Sequence, residues 1–155
     1  GVARAEVLVC CGGGGLTSGV ALALEAEAPG LRARPVEPEG WDDVRRSLEA
    51  GARLANPADA PPSLCDAIVT PSPGELTFAT MARLCGAGLA ISDAEALRAA
   101  AAAFLRLKIV LEPGGAAALA AALFRADEIE GDAVIVVGSG GNVDPAVFAR
   151  ALDMA

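Results

Sequence analysis

The stretch Glu6 to Gly30, EVLVCCGGGGLTSGVALALEAEAPG, passes from an apolar run through four consecutive glycines, Gly12 to Gly15, directly into residues with helical periodicity. Val7 to Cys11 is short and wholly apolar, as a strand covered on both faces must be. Leu16 to Glu27 repeats apolar side chains at helical spacing, and Pro29-Gly30 ends it. Strand, glycine loop and helix in that order make a specific device. Glycine opens backbone conformations closed to other residues and lets an anion approach the N–H groups. The helix that follows adds the positive end of its dipole, and together they form a phosphate site. A turn without a ligand rarely needs more than one or two glycines. Two nucleotide readings fail on the letters: G-x-G-x-x-G would need glycine at Thr17 or Ser18, and a Walker A loop would need lysine where Val20 stands.

The rest of the chain repeats the alternation. Leu31 to Pro38 predicts a second strand and Asp42 to Arg53 a polar helix; Ala55 to Ser63 is a proline-rich loop. Cys65 to Thr70 predicts a third strand, and Glu75 to Cys85 a helix closed by Gly86 and Gly88. Ser92-Asp93-Ala94-Glu95 fits a capping box, so a helix is expected from Asp93 to Lys108. Ala116 to Arg125 is an apolar helix. Asp132 to Asn142 contains a last all-apolar strand, and Pro145 to Met154 a closing helix with proline in its first turn. Strands alternating with helices predict a single α/β segment over 1–155, an open parallel sheet with helices on both faces.

Composition removes several function classes. The 155 residues are 54% hydrophobic and 21% charged, enough for one core. Net charge is -8 and Lys108 is the only lysine, so no basic stripe exists for nucleic acid. No apolar run approaches the roughly 20 residues of a membrane span, and no signal peptide is expected ahead of the first strand. Cys10, Cys11, Cys65 and Cys85 form no C-x-x-C pair, which suits a reducing, cytoplasmic setting. With no histidine, the Ser-His-Asp and Cys-His nucleophile systems are excluded.

A second glycine cluster, Gly138-Ser139-Gly140-Gly141-Asn142, ends the last strand, at the sheet edge where ligands of open parallel sheets collect. Two such loops facing one crevice, one offering N–H groups and one a hydroxyl, suit a ligand with a phosphate end and a polar ring.

"GGGGL" after an apolar strand, "VEPEGWDD", "LEPGGAAALAA" and "GSGGNVD", in this order, resemble the C-terminal half of the fold-type II pyridoxal-phosphate amino-acid dehydratases, the family of serine/threonine dehydratase and serine racemase. The resemblance implies that pyridoxal phosphate is held through its phosphate by Gly12, Gly13, Gly14, Gly15 and Leu16. It implies that Ser139 bonds the pyridine nitrogen and that Glu112 lies near the ring; read without the family, Glu112 is a charge favoured at a helix start. It also implies Mg²⁺ or Ca²⁺ at Glu37, the Trp41 carbonyl and Asp43, where oxygen ligands suit hard cations; a solvated acidic helix start is the other reading. Ser139 carries a consequence of its own. A carboxylate there would keep the ring nitrogen protonated, whereas a neutral hydroxyl leaves a shallower electron sink.

The chain departs from the family twice. Cys65-Asp66-Ala67 stands where many members carry A-D-G, and nothing resembles the S-x-K-x-R-G segment with the family's cofactor-bearing lysine. Lys108 lies in a different context, before "IVLEP". The resemblance therefore implies half of an enzyme: a parent that converts L-threonine, L-serine or a related 3-hydroxy amino acid to a 2-oxo acid and ammonia, in a chain inactive alone. Racemisation on the same scaffold, or a non-catalytic anion-binding fragment, are the alternatives. The expected partners are a small amino acid and a second copy of the chain in a homo-oligomer such as a dimer.

Overall fold

The computed structural model describes residues 4–155. Its sheet holds four parallel strands, β1 (Ala5–Cys10), β2 (Arg32–Pro38), β3 (Leu89–Ile91) and β4 (Ala133–Val137), in the order β3-β2-β1-β4. Val7 sits opposite Ala33 of β2 on one side and Ile135 of β4 on the other. The strands are linked through α1 (Gly15–Glu27), α2 (Asp43–Ala50), α3 (Glu75–Leu84), α4 (Asp93–Ala102) and α5 (Pro113–Phe124), and α6 (Pro145–Asp153) follows β4.

Helices cover both faces of β1 and β2, while Val134 and Ile135 of β4 stay exposed, and strand alternation decides which residue goes where. Leu8, Cys10, Val36 and Leu89 pack against Ala96, Leu97, Ala116 and Ala120 of α4 and α5. On the opposite face Cys11 and Ala33 meet Ala21 of α1, Val44 of α2 and Met81 of α3. Helix α5 lies across this first sheet face, touching all four strands, and Pro113 to Ala118 are all buried. Glycine and alanine keep that helix thin, so its first turn comes close to the strand ends. Among the described residues no helix is long and apolar enough to cross a membrane.

Three expected elements differ. Cys65 to Thr70 is not a strand; Asp66–Ile68 forms a single 3₁₀ turn. Its backbone is bonded outside any sheet: Cys65 N donates to Ser63 Oγ (3.1 Å) and Ile68 N to the Cys65 carbonyl (2.9 Å), while the preceding Leu64 N donates to Asp93 Oδ2 (2.9 Å). The sheet position is taken by β3, whose three residues are too few to show a period. Helix α2 stops at Ala50 rather than Arg53, because Gly51 adopts φ 66° and closes it. The capping box is present, with Ser92 Oγ accepting from Glu95 N (3.3 Å) and Glu95 Oε2 accepting from Ser92 N (2.8 Å). Beyond Ala102 that helix widens into a π-helical turn over Ala103–Leu107, ended by Lys108 at φ 62°.

Candidate cofactor site

From β1 the chain moves to β2 on one side, while β4 joins β1 on the other, so the strand order reverses between β1 and β4. A crevice opens outside the carboxyl ends of strands at such a point. Here it is a cleft of about 460 Å³, whose lining includes Gly12 to Gly15, Leu16, Cys10, Glu112 and Ser139. That size suits one small organic cofactor.

The glycine loop is shaped to receive an anion. Gly14 caps α1 at φ 90°, a conformation that side chains rarely adopt, and a Cβ there would meet Thr77 Cβ at 3.0 Å. Gly13 and Gly15 have nothing within 4 Å of an added Cβ, so their backbone faces open space. The loop is pinned from behind: Thr77 Oγ1 donates to the Gly13 carbonyl (2.5 Å), as does Gly74 N (3.2 Å), while Thr17 Oγ1 donates to the Cys10 carbonyl (3.3 Å). The first amides of α1 have no partner within the helix. Gly114 and Gly115, in the first turn of α5, line the same cleft, so two helix N-termini converge there. Among the described residues no lysine or arginine lines it; amides and dipoles carry the attraction for a negative charge. These residues fit the phosphate of pyridoxal phosphate.

The opposite wall is made by two loops bonded to each other. Glu112 N donates to the Gly140 carbonyl (3.0 Å), and Ser139 N donates to that of Gly115 (3.4 Å). Glu112 is the N-cap residue of α5, and its carboxylate lies where a side chain on residue 140 would otherwise be. Ser139 Oγ is 3.1 Å from Cys10 Sγ. Burial holds the Cys10 thiol above its ordinary pKa against the opposite pull of the Ser139 hydrogen bond, and the Glu112 charge adds to the upward effect, so the group stays neutral at physiological pH. Ala67, at the position where the family pattern has glycine, also lines the cleft.

Gly12 to Gly15, Leu16, Glu112 and Ser139 thus share one cleft, while Glu37, Trp41 and Asp43 are not part of its lining. Glu37 is fully buried and spends both oxygens on the start of α2, accepting from Val44 N (2.8 Å) and Arg45 N (2.7 Å). Asp43 Oδ1 accepts from Asn56 Nδ2 (2.5 Å), leaving Oδ2 buried and unpartnered. Trp41 Nε1 donates to the Pro61 carbonyl (2.7 Å). Among the described residues no group of three or more His, Cys, Asp or Glu is placed to hold a metal ion. With one carboxylate oxygen free, this arrangement does not fit the expected cation. Lys108 is exposed, its Nζ donating to the Leu105 carbonyl (2.9 Å), and it does not line the cleft. Sequence reasoning missed Cys10, Thr77 and Gly115. Cys10 had a signal, as the strand residue two places before the first loop glycine.

L-threo-3-hydroxyaspartate ammonia-lyase of Saccharomyces cerevisiae is 36% identical over 138 residues, 89% of this chain and 42% of the yeast protein. Serine racemase of Schizosaccharomyces pombe is 34% identical over 146 residues, 94% of this chain and 45% of that protein. Maize serine racemase has a similar structure, with a TM-score of 0.83, 31% identity, and coverage of 96% of this chain and 47% of that one. The chain therefore spans less than half the length of these relatives. The model of the family described as pyridoxal-phosphate dependent enzyme matches residues 3–140, and the chain belongs to that family.

Proposed function

We propose that these residues form the cofactor-holding part of an ammonia-lyase that converts L-threonine, L-serine or a related 3-hydroxy amino acid to a 2-oxo acid and ammonia. One observation carries the proposal: the anion-shaped glycine loop and the neutral Ser139 hydroxyl face one cleft of cofactor size. The amides of Gly12 to Gly15 and Leu16 hold the phosphate. Ser139 holds the ring nitrogen without charging it, and Glu112 stands beside the ring. Bound pyridoxal phosphate supplies an electron sink at the substrate's α-carbon. The hydroxyl at residue 139 keeps that sink shallow, which is sufficient for loss of a β-hydroxyl.

The lysine that anchors the cofactor comes from outside these 155 residues, as the exposed position of Lys108 and the span of less than half of these relatives support. This chain alone then turns nothing over. No role is given to Mg²⁺ or Ca²⁺, because Glu37 is committed to the amides of α2. Exposed Val134 and Ile135 on β4 support association with a second copy in a homo-oligomer, and four unpaired thiols support a reducing compartment, which we take to be the cytoplasm. The test is to express the reading frame containing this chain and measure 2-oxo acid release from L-threonine, L-serine and 3-hydroxyaspartate. Release from at least one substrate is expected. A protein that takes up pyridoxal phosphate and acts on none of the three overturns the proposal.

A further inference from the structure

Cys10 is 5% exposed and ends β1 on the face covered by α5, where it both joins the core and lines the cleft. Its Sγ is 3.1 Å from Ser139 Oγ, across 129 residues of sequence. Among the described residues this thiol is the side-chain partner of the hydroxyl. Serine has one proton and two lone pairs, so what Ser139 offers the cleft depends on what it exchanges with Cys10. If the hydroxyl donated to sulfur, it would turn a lone pair toward a ring nitrogen that itself presents a lone pair, and the contact would be repulsive. If the thiol donates to oxygen, the serine proton is free to point into the cleft. Oxygen is also the better acceptor of the two, and burial keeps the thiol proton in place.

We propose that Cys10 is a positioning residue: its S–H donates to Ser139 Oγ and thereby directs the Ser139 proton to the unprotonated ring nitrogen of bound pyridoxal phosphate. This rests on the cleft being the cofactor site, as argued under Proposed function. The result is a one-way relay of donors, thiol to hydroxyl to ring nitrogen, in which no atom carries a formal charge. Cys10 itself touches no reacting atom.

The test uses the protein expressed from the whole reading frame that contains this chain and three ligands: pyridoxal phosphate, its deaza analogue with C–H in place of the ring nitrogen, and inorganic phosphate. Cys10→Ala and the near-isosteric Cys10→Val both remove the donor, and Cys10→Ser keeps one. Loss of one such hydrogen-bonded arrangement is expected to weaken pyridoxal phosphate binding about five-fold. Binding of the deaza analogue and of phosphate stays unchanged in both variants, Cys10→Ser restores the affinity, and adding Cys10→Ala to Ser139→Ala causes no further loss. Equal weakening of pyridoxal phosphate and its deaza analogue would make Cys10 a packing residue and overturn the proposal, as would a loss that persists in the Ser139→Ala background. If the unsubstituted full protein binds neither pyridoxal phosphate nor phosphate, the cofactor reading itself falls, and this proposal with it.

Discussion

Gly115, in the first turn of α5, lies so close to Gly140 that a Cβ on residue 115 would stand 2.6 Å from the Gly140 nitrogen. Two backbone hydrogen bonds, Glu112 to Gly140 and Ser139 to Gly115, depend on that approach. The position of Ser139 over the cleft is therefore set by a missing side chain 24 residues earlier, as 139 minus 115.

Gly115→Ala is expected to force these loops apart. The obstructing atoms are backbone and cannot swing aside, so a cost of about 1–3 kcal/mol is expected in urea unfolding, with weaker binding of pyridoxal phosphate. Gly19→Ala is the matched contrast: it is exposed inside α1 with nothing within 4 Å of an added Cβ, and should stabilise the chain by about 0.5–1 kcal/mol. Equal stability of the two variants would show that the loops are not packed as described.

Thr77→Val tests the back of the glycine loop. Its hydroxyl donates to the Gly13 carbonyl at 2.5 Å, and an isosteric methyl leaves that acceptor with Gly74 N alone. The expected loss is about 1 kcal/mol of stability and a lower affinity for inorganic phosphate, measured by titration. Unchanged phosphate affinity would mean that the loop holds its shape without this anchor.

The four thiols should resist alkylation in the native state. Burial pushes Cys65 up to about 12 and Cys85 to about 11, and raises Cys11 and Cys10 as well. Since the thiolate is the nucleophile, iodoacetamide at about pH 8 should label the folded chain slowly and all four cysteines quickly in denaturant, as read by mass spectrometry. Fast native labelling of Cys11, which is 1% exposed, would contradict the buried arrangement.

What could be read from sequence was local. The glycine loop joins one strand to one helix within a single short window, and the Ser92–Glu95 cap closes within one helical turn, so chemistry and geometry sit together. The pairing of Cys10 with Ser139 spans the sheet, and no periodicity in either segment announces it. Cys65 to Thr70 misled because its apolar and β-branched residues read as a strand; Ser63 accepts from Cys65 N and Asp93 from the preceding Leu64 N, and Asp66–Ile68 turns instead of pairing. Glu37 was legible as acidic and near a helix start. That it would cap that helix required knowing that β2 ends facing the amides of α2.

That cap gives the chain a pH dependence. Burial pushes the Glu37 carboxyl up to about 8 from its ordinary 4.5, overcoming the opposite pull of the Val44 and Arg45 amides, and the neighbouring Asp43 and Asp42 charges act in the same upward direction. The folded state then holds this proton more tightly than the unfolded state does. The stability it contributes is complete below about pH 4.5 and is lost as pH rises to about 8. Asp43, raised by burial from 3.8 to about 6, acts in the same direction but is spent by about pH 6. Between about pH 6 and 8 the fall in unfolding free energy therefore belongs to Glu37, with a slope of at most about 1.4 kcal/mol per pH unit. Glu37→Gln cannot titrate, and although its amide would oppose the Arg45 N–H and lower the overall stability, its urea midpoint should be flat across that interval. A variant that kept the parent's slope there would assign the titration to another group and remove Glu37 from the account.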